Sequence, residues 1–127
     1  MTDYKEVYLA SAQGYQDGDI EEMLSYATED FSWYNIEPDG PRLLSDTKEK
    51  AKIGMQFIID NPDYISGHVD FVKAFGNVVV VVETDRVRQE GEEITMRRMS
   101  IYECRDGKLH RCWSLPINEA EQSSAAQ

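Results

Sequence analysis

A histidine and three acidic side chains alternate along two consecutive segments in the second half of the chain. His68 and Asp70 are separated by one residue, and so are Glu83 and Asp85. Alternate residues of a β-strand point to the same face, so each pair would share one face of a sheet. Neighbouring carboxyl groups raise one another's pKa, which separates acid from base roles. We therefore expect Asp85, Glu83 and His68 to be the catalytic candidates.

The turns of the predicted sheet decide which of these side chains meet. The three candidate turns are Gly76-Asn77, Glu90-Gly91 and Asp106-Gly107. If each is a two-residue hairpin loop, His68 lies opposite Asp85, and Arg98 lies opposite Glu83. Arg98 would then share the acidic face and contact a bound substrate. A bulge at Glu90-Gly91 would instead move Arg98 to the other face.

A purely structural interpretation, without catalysis, explains the same pattern. Charged residues that alternate along paired strands also form solvated ladders of ion pairs, which contribute little to stability. His68 could equally be a surface histidine. The two cysteines, Cys104 and Cys112, form no Cys-x-x-Cys motif, and no His/Cys cluster has zinc spacing. We expect no metal site, no cofactor and two reduced thiols.

The helices and strands that position these residues are predicted from hydrophobic periodicity and from capping and turn residues. Helical stripes begin after Asp3, Asp19 and Asp46, and each of these is followed three residues later by Glu, as in a capping box. The third helix is expected from about Thr47 to Asp60. The second would bury a stripe that includes Ala27. The predicted strands are residues 31–36, 64–74, 78–89, 93–104 and 108–115, with a loop at residues 37–41.

These elements predict an α+β domain in which three N-terminal helices pack on a long antiparallel sheet. Residues 1–117 would form this single domain, and residues 118–127 a flexible tail. Both faces of the predicted sheet are apolar near its middle, so both should be covered. Because the helices can cover only one face, we expect a homodimer through the other.

Composition excludes several partners. The net charge of −11 repels phosphate backbones and anionic lipids, so we expect no nucleic acid and no membrane partner. No apolar run approaches the roughly 20 residues of a membrane span, and residues 1–20 show no signal-peptide pattern. A cytoplasmic location is the default expectation, with a small molecule as the partner.

Several segments together carry a family resemblance. They are Gly-Asp-Ile-Glu-Glu-Met at residues 18–23, Glu-Asp-Phe-Ser-Trp-Tyr-Asn at 29–35, Tyr-Glu-Cys-Arg-Asp-Gly-Lys-Leu at 102–109, and Trp113. Over residues 4–116 the chain resembles the nuclear transport factor 2-like superfamily, in its snoaL-like, ketosteroid isomerase-like and limonene epoxide hydrolase-like branches. The resemblance implies a sheet curled into a cone that the helices close over one pocket.

The resemblance also implies roles for residues on the pocket wall. Asn35 is similar in position to the general-base Asp of ketosteroid isomerases, and Ser100 to the Asp of their oxyanion hole. Trp33-x-Asn35 is similar to the first-strand pattern of the epoxide hydrolases, whose closing Asp falls near Ser114. With these carboxylates replaced, Asn35 and Ser100 are expected to hold a substrate oxygen, Trp33 to form a wall, and Tyr15 to reach the pocket.

Two hypotheses follow. In the first, the chain is an enzyme of the isomerase, cyclase or hydrolase type, and Glu83 or Asp85 transfers a proton in a small apolar, polyketide-like or steroid-like compound. In the second, it is a non-catalytic ligand-binding or dimerisation module of the same fold. The replaced carboxylates at Asn35 and Ser114 favour the second hypothesis.

Overall fold

The computed structural model describes residues 2–117, so the tail predicted for residues 118–127 lies outside the described residues. Helices and strands are intermixed in the first half, and only strands follow. The elements are α1 (Tyr4–Gln16), α2 (Ile20–Leu24), β1 (Ala27–Glu37), β2 (Gly40–Ser45), α3 (Lys48–Asp60), β3 (Tyr64–Phe75), β4 (Val78–Gln89), β5 (Glu92–Arg105) and β6 (Lys108–Ile117).

The strands form one curved, unclosed sheet in the order β2-β1-β6-β5-β4-β3. All neighbours are antiparallel except β1 and β6, which run parallel. The helices pack on one side, called the inner face here, and bury its valines, Val79 and Val81. The predicted α+β architecture of three helices on a curved sheet is therefore confirmed, and the four long strands of the second half closely match the predicted ranges.

The helix starts agree with the capping prediction in two of three cases. The Asp3 carboxylate accepts from the amides of Lys5 and Glu6, and Asp19 caps α2. The third cap is Thr47, because Asp46 pairs with Lys50 instead. The second helix ends early, at Leu24. Ala27, predicted in its buried stripe, therefore belongs to β1, where it is fully buried.

The predicted loop at residues 37–41 is wrong, because this segment forms a hairpin. Strands β1 and β2 flank a tight turn at Pro38-Asp39, and Gly40 adopts a φ of +121° that favours glycine. Pro41 can lie in β2 because β2 is an edge strand. Proline has no backbone N–H, and on the outer side of an edge strand no neighbouring strand needs one. The first strand is also longer than predicted and begins at Ala27.

The turn between β4 and β5 has the predicted two-residue loop. Glu90 and Gly91 both adopt positive φ angles, 52° and 82°, as a type I′ turn requires. The pairing continues without a bulge, so Glu83 lies opposite Arg98 and Asp85 opposite Met96, as predicted. Arg98 therefore lies on the inner face beside the two carboxylates.

The pairing of β3 with β4 departs from prediction at a bulge. Its turn at Gly76-Asn77 is tight, but the register shifts between Val69 and Phe71, leaving Asp70 as the extra residue. His68 consequently lies opposite Thr84, not Asp85, and Gly67 takes the place opposite Asp85. The prediction that His68 and Asp70 share the acidic face is wrong, since one inserted residue reverses every side chain beyond it.

Candidate active site

A cavity of about 300 Å³ lies between the inner face of the sheet and the three helices. This volume is at the lower end of the range for small-molecule sites. Its apolar wall consists of Ala12, Met23, Phe31, Trp33, Met55, Ile58, Val69, Val87 and Met96. The polar groups come mainly from β4 and β5, at the middle of the sheet, where alternation directs every second side chain inward. A small and largely apolar molecule fits such a space.

Two carboxyl groups project into this cavity from β4, Glu83 and Asp85. Burial first, and then the charge of Asp85, raise the pKa of Glu83 to about 7 against the opposing effects of Arg98 and the Ser100 hydroxyl. Burial also raises the pKa of Asp85, and Arg98 again opposes it. Glu83 therefore exchanges its proton near neutral pH, as a general acid or base requires.

The side chains around Arg98 form a small polar floor. An Arg98 Nη1 atom donates to the Ser114 hydroxyl at 3.3 Å, and the Ser114 and Ser100 hydroxyls are 3.1 Å apart. Both serines are buried. The guanidinium is thus held in place beside Glu83, where it can bind an oxygen or stabilise negative charge that develops on a substrate.

Tyrosine hydroxyls supply further hydrogen-bond donors. Tyr15 and Tyr64 make an edge-to-face contact with ring centroids 6.1 Å apart. Burial raises the pKa of Tyr8, Tyr15 and Tyr64 above the usual value, so these hydroxyls keep their protons at neutral pH. Gly67 leaves room for the Tyr64 hydroxyl and the Asp85 carboxylate, because a Cβ at this position would lie 2.6 Å from the hydroxyl and 3.1 Å from Asp85 Oδ1.

The sequence of this cavity-forming region matches a known family. The model of the SnoaL-like domain matches residues 8–112, which include most of α1, the whole cavity lining and most of the sheet. The chain belongs to the SnoaL-like family. No curated protein matches the sequence.

Solved structures with low sequence identity share this SnoaL-like, nuclear transport factor 2-like fold. A proposed SnoaL-like polyketide cyclase from Mesorhizobium loti is 21% identical, with a TM-score of 0.72 over 89% of this chain and 98% of its own. A nuclear transport factor 2-like protein from Cytophaga hutchinsonii is 13% identical, with a TM-score of 0.71 over 96% of both chains. AclR, a proposed hydroxylase from Streptomyces galilaeus, is 14% identical, with a TM-score of 0.69 over 96% of this chain and 94% of its own. At such identities the likeness establishes the fold alone.

Seven of the eight residues predicted for the site line the SnoaL-like cavity. They are Glu83, Asp85, Trp33, Tyr15, Arg98, Ser100 and, at the rim, His68. Asn35 lies two residues beyond Trp33 on β1, paired with Ser114 and Arg42, and is not among the residues that line the cavity. The substrate-orienting amide predicted at Asn35 is therefore absent from the described cavity lining, whereas the predicted substrate-binding residues Arg98 and Ser100 are part of it.

His68 does not serve the predicted acidic cluster. It contributes to the cavity rim, but its side chain is 75% exposed and its Nε2 lies 3.7 Å from Asp70 Oδ1. Asp70 in turn contacts the Thr84 hydroxyl and the Arg97 guanidinium, and these three residues form a polar cluster. The charge of Asp70 makes the smallest of the contributions to the raised pKa of Glu83. The bulge at Asp70 thus places His68 at the cavity rim beside Asp70, and not opposite the Asp85 carboxylate as predicted.

Sequence reasoning missed several residues that shape the cavity. Tyr64 and Gly67 meet Asp85 only because the bulge shifts β3, and no turn residue signals that shift. Tyr102 and Tyr8 pack ring against ring at 5.2 Å, and Cys112 lies beside them. Burial raises the pKa of the Cys112 thiol to about 12, so it acts as a packing group.

Two further findings concern the described part of the chain. Residues 2–117 contain no group of three His, Cys, Asp or Glu side chains arranged to hold a metal ion. Among the same residues, no helix is long and apolar enough to cross a membrane.

Proposed function

We propose that this SnoaL-like protein is an enzyme that transfers a proton to or from a small, largely apolar molecule bound in the cavity. The observation that supports this function is the position of Glu83, an acidic side chain with a pKa of about 7 that faces an apolar cavity beside a second carboxyl group. A group with this pKa is present in both protonation states at neutral pH, which makes it an effective general base and general acid.

Each polar group would have a distinct role. Glu83 accepts a proton from a carbon or a water molecule, becomes neutral, and returns the proton to another atom of the substrate. Burial keeps the pKa of Glu83 high, and the charge of Asp85 adds to this effect. Arg98, held by Ser114, and the Ser100 hydroxyl bind the substrate oxygen on which negative charge develops. Isomerisation, ring closure and hydrolysis can all begin with such a step.

The nature of the substrate follows from the lining of the cavity. Its wall is mostly aliphatic and aromatic, with rings from β1 and α1 such as Trp33 and Tyr15. A ring-containing compound of modest size, including a polyketide-like one, would bury its surface there. The likeness to the Mesorhizobium loti protein, a proposed polyketide cyclase, supports the same substrate class.

A non-catalytic ligand-binding module of the same fold is the second candidate. Its support is that Asn35 and Ser114 replace acidic residues implied by the family resemblance. Binding alone would need the cavity but would not need Glu83 to exchange a proton. Turnover of a probe that reacts only by proton transfer therefore separates the two functions.

The test uses 5-nitrobenzisoxazole, a flat neutral compound. When a base removes its ring C–H proton, the N–O bond breaks and a coloured nitrile-bearing phenolate forms. We expect the protein to accelerate this reaction, with a rate that rises through pH 7 as Glu83 ionises and then reaches a plateau. Absorbance of the phenolate gives the rate. A rate no greater than that of free acetate at the same concentration would support the binding module instead.

We also propose that two copies pair through the outer face of the sheet, the side away from the helices. Partly exposed apolar side chains cover this face across β3 to β6, among them Phe71, Val82, Met99 and Leu115, which are neighbours in register. Charges of both signs flank them, so a second copy turned by a two-fold axis could match opposite charges. A continuous apolar surface of this kind favours a self-complementary partner.

The pairing can be tested by the mass of the particle in solution. Phe71 is 50% exposed, so Phe71→Glu should leave the monomer folded but place a charge in the interface. Sedimentation of the unmodified protein should give twice the chain mass of 14.6 kDa, and the variant should give the chain mass. Phe57→Glu on α3, where Phe57 is 76% exposed, is the control and should remain a dimer. A monomeric unmodified protein would refute the proposal.

A further inference from the structure

We propose that the molecule bound in this cavity is an organic cation, with an apolar ring-containing body and a protonated amine that lies against Asp85. This inference rests on the proposed function, because it names the substrate class of the same cavity. Its supports are the charge balance of the lining, the aromatic rings around Asp85 and the charge of the whole chain.

The charges that line the cavity do not balance. Glu83 and Asp85 are acidic, whereas the guanidinium of Arg98 is the one Lys or Arg group among the described lining residues. Arg98 lies opposite Glu83 and donates to the Ser114 hydroxyl, which holds it at the floor. None of the ion pairs within residues 2–117 involves Asp85. A carboxylate left unpaired at an apolar wall is costly, and a ligand cation removes that cost.

Two tyrosine side chains lie close to the same carboxylate. A Cβ at Gly67 would lie 3.1 Å from Asp85 Oδ1, 2.6 Å from the Tyr64 hydroxyl and 3.6 Å from the Tyr15 ring. The two rings and the carboxylate therefore converge on one short stretch of the wall. Trp33 and Phe31 add two more rings to the lining. Ring faces attract ammonium groups, most strongly where water is excluded, and a carboxylate adds a direct ion pair.

Other ligand charges fit this cavity less well. A neutral ligand would exclude water from Asp85 without replacing its hydrogen bonds. A carboxylate ligand would meet two negative charges and one positive charge. The net charge of −11 on the whole chain also raises the local concentration of cations and lowers that of anions. These three effects act in the same direction and favour a ligand of positive charge.

The test compares three probes with one ring and one short chain that differ only in the polar group: 2-phenylethylamine, 2-phenylethanol and phenylacetate. At pH 8 the amine is protonated and Glu83, with its pKa of about 7, is mostly ionised. Isothermal titration calorimetry should show the amine binding at least about tenfold more tightly than the alcohol. Phenylacetate should bind more weakly than the alcohol.

Variants locate the effect at Asp85. Asp85→Asn should lower the affinity for the amine by about tenfold and change the affinity for the alcohol by less than about twofold, since only the ion pair is lost. Asp70→Asn, which removes the same charge from the polar cluster of Asp70, Thr84 and Arg97, is the matched control and should leave the preference for the amine unchanged. An equal loss in both variants would assign the preference to the general charge of the chain and overturn the site.

The outcomes also separate this inference from the proposed function. If the alcohol binds as tightly as the amine, or more tightly, the cation inference is wrong while the cavity remains a small-molecule site. If none of the three probes binds at millimolar concentration, both the cation inference and the ligand-binding cavity are refuted. If the amine binds but 5-nitrobenzisoxazole is not turned over, the cation inference stands as the specificity of a binding module.

Discussion

Replacing Glu83 with Gln should lower the rate of ring opening of 5-nitrobenzisoxazole at pH 8 by at least about 100-fold, because general base catalysis supplies a factor of this size. Gln fills nearly the same space and can make hydrogen bonds, but it cannot accept a proton at this pH. The cavity and its apolar wall remain, so binding of the probe should change little. The measurement is the initial rate against probe concentration, which separates kcat from KM.

The pH profile of a second variant identifies the base. The charge of Asp85 contributes to the raised pKa of Glu83, after burial, so Asp85→Asn should lower that pKa. The rising limb of the rate should therefore move to lower pH, and the plateau should fall because a weaker base accepts a proton less readily. Glu103→Gln, which also converts a carboxyl group to an amide but at a position on β5 that does not line the cavity, is the control. A profile that does not move in Asp85→Asn would mean that another group is the base.

The sheet is the part of this fold that the sequence predicts well. Dipeptides such as Glu90-Gly91 permit the positive φ angles of a two-residue turn, and the turn then sets the register of both strands. For this reason the pairing of Glu83 with Arg98 could be derived before the structure was known. Local turn chemistry is sufficient wherever the pairing continues without interruption.

The positions of β-bulges cannot be predicted from the turn residues. The extra residue at Asp70 reverses the faces of β3 beyond it, which places His68 opposite Thr84 and brings Gly67 opposite Asp85. Another register shift, between Glu103 and Cys104, occurs where β5 pairs with β6. Such bulges arise from the curvature that lets the sheet wrap a cavity, so their positions depend on packing between distant elements.

The candidate site therefore divides into two groups of residues. Those on β4 and β5, such as Glu83 and Arg98, were predictable from alternation and a tight turn. The residues that β3 and the helices contribute, such as Tyr64, could be identified only from the whole fold. The same burial that makes Glu83 useful for chemistry makes it costly for stability, because an ionised group loses its hydration in the cavity.

This cost leads to an expected gain of stability in Glu83→Gln at alkaline pH. The pKa of Glu83 is about 7 in the folded chain and near its ordinary value of 4.5 when unfolded. Below pH 4.5 the group is protonated in both states and its contribution to stability is fully present. As the pH rises through 7 that contribution is lost, because the unfolded chain releases the proton first. Since one unit of pKa corresponds to about 1.4 kcal/mol, the loss is up to about 3 kcal/mol.

Urea denaturation of the unmodified protein and of Glu83→Gln at pH 5 and pH 8 measures this difference in the free energy of unfolding. Gln does not titrate, so the free energy of unfolding of Glu83→Gln should exceed that of the unmodified protein at pH 8 by up to about 3 kcal/mol, and by much less at pH 5. Glu103→Gln should show no such dependence on pH. Equal stability of Glu83→Gln and the unmodified protein at both pH values would mean that Glu83 ionises as it does in water. The cavity would then lack the buried base on which the proposed chemistry depends.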